Sequence, residues 1–336
     1  MTNTENVLYP APTHRYKVLV VCNTYNHSKY IEETLNGFAI QQTNFPFTCL
    51  VMDDASTDGE QEVLKGWMRR ECDMSKSEVI DISTSEVIIV PHRTNTSCNF
   101  AFYLLKQNLY GNPKKNDHVM PWRDACDYEA ICEGDDYWID PLKLQKQVDF
   151  LDNNPEYGMC FHNVRVVAEG CNLRTDIYGH LQNKDYTVAE FLETWTIPTC
   201  SVVYRSYIAK HIPQNDKFAV GDNVLFTTCA IFGKVRCINE YMGCYRRNTG
   251  GWTNQLLDTI PLRMIEHYEG MIESFPQVNK KIFNKLIAVN TAILSYKYLV
   301  RRDHLFFNIM YKGLKEYRFV FVMAIFNLIL GKIRGN

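Results

Sequence analysis

The chain has 336 residues, of which 46% are hydrophobic and 22% are charged, and its formal net charge is −2. This composition is typical of a globular protein with one large domain and room for an appendage. The near-neutral charge argues against a nucleic-acid partner. The 12 cysteines are scattered without a Cys-x-x-Cys pair, which argues against a zinc site.

Short apolar runs alternate with amphipathic segments in the first half of the chain. The predicted strands are residues 17–22, 48–52, 86–90 and 128–132. Helices are predicted after the first two strands, over residues 99–109 and around residues 144–151, and residues 111–124 are expected to form a polar loop. Strands that alternate with helices indicate βαβ units and a largely parallel, twisted sheet.

The second half of the chain begins with the same kind of pattern and then becomes helical. Strands are predicted at residues 157–161, 199–204 and 235–238, and a helix at residues 222–231. Beyond residue 255 the sequence is predicted to be all-helical. The expected fold class is therefore α/β, with a mixed, mostly parallel sheet flanked by helices and a helical C-terminal extension.

The segment 319–330 (FVFVMAIFNLIL) is apolar on every side. Twelve residues are too few to span a bilayer, but a helix flanked by basic residues suits an anionic membrane interface. Packing against the catalytic domain or a partner is the alternative. The flanking basic residues are Lys312, Lys315, Arg318, Lys332 and Arg334. The polar N-terminus without a signal peptide and the reduced thiols predict a cytoplasmic location. The apolar C-terminal helix is the reason to expect peripheral contact with the cytoplasmic face of the inner membrane.

Polar motifs follow three of the predicted strands directly. They are NTYN at residues 23–26, DDASTDG at residues 53–59 and EGDD at residues 133–136. Ligands of open α/β sheets bind at the carboxyl ends of the strands, so we expect these motifs to share one site.

The last of these motifs places three carboxylates within four residues. Carboxylates repel one another, so such a cluster is costly without a cation, and oxygen ligands suit Mg²⁺ or Mn²⁺. A metal of this kind commonly holds a diphosphate. The motif Glu133-Gly134-Asp135-Asp136 therefore predicts an enzyme that acts on a nucleotide-activated substrate.

Taken together, the three motifs resemble those of family 2 glycosyltransferases with the GT-A fold, and the resemblance covers roughly residues 15–252. The segments at residues 133–138 and 140–147 are similar to bacterial members that build surface polysaccharides. The resemblance implies a catalytic domain over residues 1–252, with a donor-binding half at about 15–150 and an acceptor half at about 151–252. Residues 253–336 would form the helical region, with a candidate membrane-interface helix at residues 315–334.

The resemblance also implies roles for individual residues. Asp135 corresponds to the metal ligand, Glu133 lies near the ribose or a metal-bound water, and Asp136 orients Asp135 or caps the turn. The remaining donor-binding residues are Thr24, Tyr25, Asn26 and Asp54, of which Asp54 would accept the imide N–H of uracil. The expected donor is a nucleotide sugar, most naturally a UDP-sugar, with Mn²⁺ or Mg²⁺ as cofactor.

Asp222 is the candidate general base of an inverting transfer to a hydroxyl of a glycan or lipid-linked acceptor. The alternative reading of Asp222 is a plain N-cap residue. Further candidate contacts to the acceptor or diphosphate are Trp138, His162, Arg246 and Asn248. Related proteins often carry histidine where this chain has Asn248, which puts the completeness of the metal coordination in question.

Two other functions fit parts of the pattern. A sugar-phosphate nucleotidylyltransferase is also α/β and metal-dependent, but it needs a Gly-rich, Arg-containing loop after the first strand, where this chain has NTYN. A catalytically inactive sugar-binding or assembly subunit is the second alternative, and Asn248 is the residue that favours it.

Overall fold

The structure is a computed structural model that describes residues 10–112, 115–169, 177–194, 196–247 and 259–333, with side chains up to residue 328. Two compact units make up these residues. The first unit lies within Met1–Thr187, Thr196–His211 and Thr228–Asn248, and the second within Val188–Trp195, Ile212–Thr227 and Thr249–Asn336.

A large mixed sheet forms the first unit. Its strands, among the described residues, are β1 (Tyr16–Thr24), β2 (Phe47–Asp53), β3 (Glu78–Asp81), β4 (Ser85–Pro91), β5 (Cys98–Leu105), β6 (Cys126–Ile131), β7 (Tyr137–Trp138), β8 (Tyr157–Ala168), β9 (Val203–Arg205) and β10 (Lys234–Arg247). Their order in the sheet is β3-β4-β5-β2-β1-β6-β9-β8-β10-β7.

The centre of this sheet is parallel and its flanks carry the antiparallel pairs. Strands β5, β2, β1 and β6 run parallel as neighbours, and β8 runs parallel to β10. Antiparallel pairing joins β4 to β3 and β5, β9 to β6 and β8, and β7 to β10. The predicted fold class is confirmed. Because β1, β2 and β6 are parallel neighbours, their carboxyl ends lie at one edge of the sheet.

Helices cover the sheet and form the second unit. The α-helices of the described residues are α1 (Ile31–Ala39), α2 (Glu60–Glu71), α3 (Lys115–Arg123), α4 (Lys143–Asn153), α5 (Val188–Glu193), α6 (Gly221–Phe232), α7 (Ile260–Ser274), α8 (Lys280–Val300) and α9 (Leu305–Ile333). The helix α9 is interrupted at Arg318, whose backbone angles (φ 42°, ψ −115°) are not helical.

Two elements of the first unit differ from the sequence prediction. The helix predicted over residues 99–109 is wrong, because Cys98–Leu105 is the strand β5 between β2 and β4. An apolar run without a polar face does not distinguish a buried strand from a buried helix, and pairing with β2 decides the outcome. The loop predicted over residues 111–124 contains α3, which buries Val119 and Trp122 in the core.

The second unit is helical over residues 259–333, as predicted. In its small core, Ala288 and Ala292 of α8 pack against Phe321 and Ala324 of α9. None of the described helices combines the length and the hydropathy needed to cross a bilayer. The predicted domain boundary near residue 252 stays a prediction.

A buried lysine lies where α4 packs against the sheet. Lys143 begins α4 and is fully buried, and its Nζ lies 3.7 Å from the ring centroid of Trp138. Its ammonium has no hydrogen-bond partner among the described residues. Burial disfavours the charged form and lowers the pKa of Lys143 to about 7.

We predict that Lys143→Met stabilises the protein most at low pH. Between the folded pKa of about 7 and the unfolded value of 10.5, the unfolded state binds a proton that the folded state lacks. Lys143 therefore makes stability rise with pH by about 1.4 kcal/mol per unit in this window, and the variant loses that rise. Urea unfolding at pH 7, 8 and 9 measures it.

Lys146→Met is the matched control, since Lys146 lies on the same helix and is paired with Asp140 and Glu240 at the surface. The control should leave the slope between pH 7 and pH 9 unchanged. A slope that is the same in wild type and Lys143→Met would contradict the prediction.

Candidate active site

The loops that follow β1 and β2 are tied together by one buried carboxylate. Glu60, the first residue of α2, accepts hydrogen bonds from the Thr24 hydroxyl, from the His27 backbone N–H at 2.8 Å and from the Ser56 hydroxyl at 2.9 Å. Burial raises the pKa of Glu60, and these donors oppose that rise. Glu60, which begins the helix after β2, thus fixes the shape of the loop after β1.

Asp54 lies at the end of β2 and is almost fully buried. Its Oδ1 accepts the Leu109 backbone N–H at 2.6 Å, and its Oδ2 pairs with the Lys115 ammonium at 2.8 Å. The Asp54 backbone N–H donates to the Thr24 carbonyl oxygen at 3.0 Å. Asp54 therefore belongs to the same edge of the sheet as the loop after β1.

The acidic turn, residues 133–136, follows β6 and contacts the loop after β1. The Gly134 backbone N–H donates to the Asn23 carbonyl oxygen at 3.1 Å. A Cβ atom on Gly134 would overlap the Thr24 hydroxyl and lie 2.6 Å from the Thr24 Cβ. Only glycine permits this approach, so residue 134 brings the carboxylates of the turn beside the loop after β1.

Asp136 faces the interior of the protein. Its side chain is buried, and Oδ1 accepts the Arg246 backbone N–H at 2.7 Å. Burial and the neighbouring Asp135 carboxylate raise the pKa of Asp136 well above its usual range. Asp136 therefore joins the turn to β10, and its donor-binding role stays a prediction.

Arg246 supports the acidic turn through its side chain. Its Nε donates to the Asp135 carbonyl oxygen at 2.8 Å, and its two terminal nitrogens bind Glu169 at 2.7 Å and Glu33. The Arg246 side chain is 5% exposed, and the hydrogen bonds of its guanidinium are directed to protein groups. A diphosphate contact from Arg246 stays a prediction, and this geometry favours a role in supporting the turn.

Asp135 points away from the core, with a side chain that is 21% exposed. Its Oδ2 lies 3.8 Å from Nε2 of His27, a residue outside the sequence-predicted site. Tyr25 and Asn26 are also exposed at this edge, and the Asn26 side chain accepts the Thr57 backbone N–H at 2.8 Å. The exposed residues around the acidic turn thus belong to the loops that follow β1, β2 and β6.

Two candidate contact residues lie in the core. Trp138 donates its ring N–H to the Cys200 carbonyl oxygen at 2.7 Å and is 1% exposed. His162 is fully buried, and burial lowers its pKa to about 3, so the ring is neutral. Contacts from either residue to a ligand stay predictions, and burial argues for packing roles.

The last two predicted residues are Asp222 and Asn248. Asp222 is half-buried in the first turn of α6 and belongs to the second unit. Asn248 lies outside the described residues.

Sequence reasoning missed Glu60, His27 and Lys115. The separations that join them to Thr24, Asp135 and Asp54 are long, so no local spacing reveals these pairs. His27 directly follows the NTYN motif, and that position was the one available signal.

The acidic turn offers part of a metal site. Within the described segments, no group of three or more His, Cys, Asp and Glu side chains converges to hold a metal ion. Mg²⁺ and similar cations are commonly held by one or two carboxylates together with phosphate oxygens of a substrate. Asp135 fits that pattern, with a partly exposed carboxylate beside the loop after β1.

Comparison with known proteins gives a family match over part of the chain. Residues 19–90 match the family model described as Glycosyl transferase family 2. An uncharacterized protein of Mycobacterium tuberculosis (strain ATCC 25618 / H37Rv) is 33% identical over 243 residues, which are 71% of this chain and 61% of that relative. The chain therefore spans less than two thirds of the length of this relative.

Solved structures share the fold. S. aureus TarS 1-349 has a TM-score of 0.55 at 15% identity, over 92% of this chain and 81% of that TarS fragment. Its complex with UDP-GlcNAc has a TM-score of 0.51 at 16% identity, over 91% and 90%. The mannosyltransferase PcManGT from Pyrobaculum calidifontis, in complex with GDP-Man and Mn²⁺, has a TM-score of 0.50 at 14% identity, over 96% and 88%. The described residues thus share the GT-A fold of these glycosyltransferases, and residues 19–90 match family 2.

We predict that Gly134→Ala damages both the acidic turn and the loop after β1. The added methyl group overlaps Thr24, so the turn must shift, at a cost of about 1–3 kcal/mol in the free energy of unfolding. Donor binding should weaken in parallel. Chemical denaturation and calorimetric titration of UDP measure the two effects.

Gly66→Ala provides the comparison. Gly66 lies inside α2, and a Cβ there meets only the Arg70 side chain, at 3.5 Å. Gly66→Ala should raise the free energy of unfolding by about 0.5–1 kcal/mol without changing the affinity for UDP. Equal effects of the two substitutions would show that the close approach at Gly134 is unimportant.

Proposed function

We propose that this chain transfers a sugar from a nucleotide-sugar donor to a hydroxyl acceptor with inversion at the anomeric carbon. The observation that carries the proposal is the meeting of three loops at the carboxyl edge of β1, β2 and β6, where the acidic turn lies against Thr24. The family 2 match over residues 19–90 supports glycosyl transfer as the reaction class.

The loops after β1 and β2 bind the nucleotide in this proposal. Tyr25 and Asn26 are exposed and contact the base and ribose. Asp54 accepts the imide N–H of uracil, since a carboxylate offers about four acceptor positions and Lys115 and Leu109 occupy two of them. A UDP-sugar is the donor that suits this carboxylate, and the structural likeness to TarS with UDP-GlcNAc is consistent with it.

The acidic turn binds the diphosphate end of the donor. Asp135 holds the metal, Glu133 assists near the ribose or a metal-bound water, and Asp136 and Arg246 keep the turn in place. A bound Mn²⁺ or Mg²⁺ would neutralise charge on the departing diphosphate as a Lewis acid. The mannosyltransferase that shares the fold was solved with Mn²⁺, which supports the same class of metal here.

Asp222 is the proposed general base. An inverting transfer needs a carboxylate that deprotonates the acceptor hydroxyl as it attacks the anomeric carbon. Asp222 lies in the first turn of α6, and its partial exposure suits a base because the acceptor hydroxyl must reach the carboxylate.

The acceptor is proposed to be a glycan or a lipid-linked sugar of surface polysaccharide synthesis. The helix α9 leaves large apolar side chains exposed on both sides of its interruption at Arg318, which supports peripheral contact with the cytoplasmic face of the inner membrane. These side chains are Phe307, Tyr311, Leu314, Phe319, Val322, Met323 and Phe326. Lys312 and Lys315 on the same helix add positive charge that favours anionic lipids.

A thermal-shift screen of nucleotide sugars tests the donor. We expect at least one UDP-sugar to raise the melting temperature more with Mn²⁺ than without it, because a ligand that binds the folded state stabilises it by mass action. UDP-GlcNAc, UDP-glucose and GDP-mannose form the minimal set. Asp54→Asn should reduce the shift from UDP-sugars, whereas Asp81→Asn, an exposed aspartate of β3, should not. Failure of all donors to shift the melt would refute the assignment.

We predict that Asp222→Asn lowers the rate of sugar transfer by about 10²- to 10⁴-fold while donor binding persists, because an amide cannot accept the proton. Release of UDP in the presence of acceptor measures the rate, and thermal shift measures binding. Asp216→Asn, an exposed aspartate just before α6, is the control and should retain wild-type rates. Undiminished transfer by Asp222→Asn would remove Asp222 from the mechanism.

A further inference from the structure

His27 connects the loop after β1 to the acidic turn. Its ring is 23% exposed, and the two ring nitrogens face different groups. Nδ1 lies 3.2 Å from the Thr24 hydroxyl, and Nε2 lies 3.8 Å from Oδ2 of Asp135. His27 lies just outside the NTYN motif and has no role in the function proposed for that motif.

Hydrogen bonding determines which nitrogen of His27 carries the proton. The Thr24 hydroxyl has one hydrogen, and it donates that hydrogen to Glu60. The Thr24 oxygen can then only accept, so Nδ1–H of His27 is the donor across the 3.2 Å contact. In the neutral ring the free lone pair is therefore on Nε2, directed towards the Asp135 carboxylate.

A lone pair and a carboxylate oxygen at this separation are arranged to bind one cation. Two ligands at about 2.1 Å from a shared ion lie about 3.0 Å apart when their bonds are perpendicular and at most about 4.2 Å apart when they are opposite. The observed 3.8 Å lies within this range. A metal-binding histidine also characteristically donates its other ring N–H to an oxygen that orients it, as Thr24 and Glu60 do here.

We propose that Nε2 of His27 is the second protein ligand of the divalent cation held by Asp135, an inference that rests on the proposed function. The two side chains supply one nitrogen and one oxygen, and diphosphate oxygens of the donor complete the coordination. A nitrogen ligand favours Mn²⁺ over Mg²⁺, which binds oxygen almost exclusively. Binding of Mn²⁺ should accordingly depend on UDP.

Pulsed electron paramagnetic resonance of Mn²⁺ bound to the full chain with UDP tests the proposal. The wild type should show modulation from one directly coordinated imidazole ¹⁴N, and protein labelled with ¹⁵N-histidine should lose it. His27→Gln should lose the same modulation and bind Mn²⁺ more weakly, whereas His14→Gln, an exposed histidine of the same unit, should match the wild type.

Glu60→Gln keeps the imidazole but weakens the hydrogen bonds that orient it. The modulation should persist, while the Mn²⁺ affinity in the presence of UDP falls by about 10- to 100-fold. An unchanged affinity would argue against the arrangement of Glu60, Thr24 and His27 described here.

The remaining outcomes are distinct. Bound Mn²⁺ without ¹⁴N modulation in the wild type overturns the role of His27 and leaves the proposed function intact. Modulation that survives in His27→Gln assigns the nitrogen to another residue and also overturns it. If UDP binds but Mn²⁺ does not, the metal site fails while the donor assignment stands. If neither binds, the proposed function fails as well.

Discussion

The close approach of Gly134 to Thr24 is the constraint on which the rest of the site depends. Parallel pairing of β1 with β2 and β6 brings three polar loops to one edge, and the absent side chain at residue 134 lets two of them touch. Glu60 then ties the loop after β1 to the next βα connection. The site is therefore a property of neighbouring strand ends, and it exists only when the sheet has formed.

The carboxylates of the acidic turn differ in burial and in hydrogen bonding. Asp136 is buried and bonds to the backbone of β10, and burial beside Asp135 raises its pKa. Arg246 binds the Asp135 carbonyl oxygen and balances Glu33 and Glu169. Asp135 keeps its exposure. Three adjacent carboxylates are thereby tolerated because their surroundings differ, and one of them remains suited to a cation.

The second unit differs from the sheet in how much apolar surface it leaves exposed. In the second unit, α8 and α9 share a small core of Ala288, Ala292, Phe321 and Ala324, and much of the apolar surface of α9 stays exposed. An exposed surface of this kind marks interaction with another molecule more often than structural support. Basic side chains on the same helix are the feature that favours a lipid surface.

The sequence by itself determined the fold class and the three motifs at strand ends, because apolar runs followed by polar clusters are local patterns. Tertiary structure decided that residues 98–105 form a strand, because pairing with β2 outweighs an ambiguous apolar run. It also placed Trp138 and His162 in the core, and it brought Glu60 to Thr24 and His27 to Asp135. Those contacts join residues that are 36 and 108 positions apart in the sequence, so only the folded sheet reveals them.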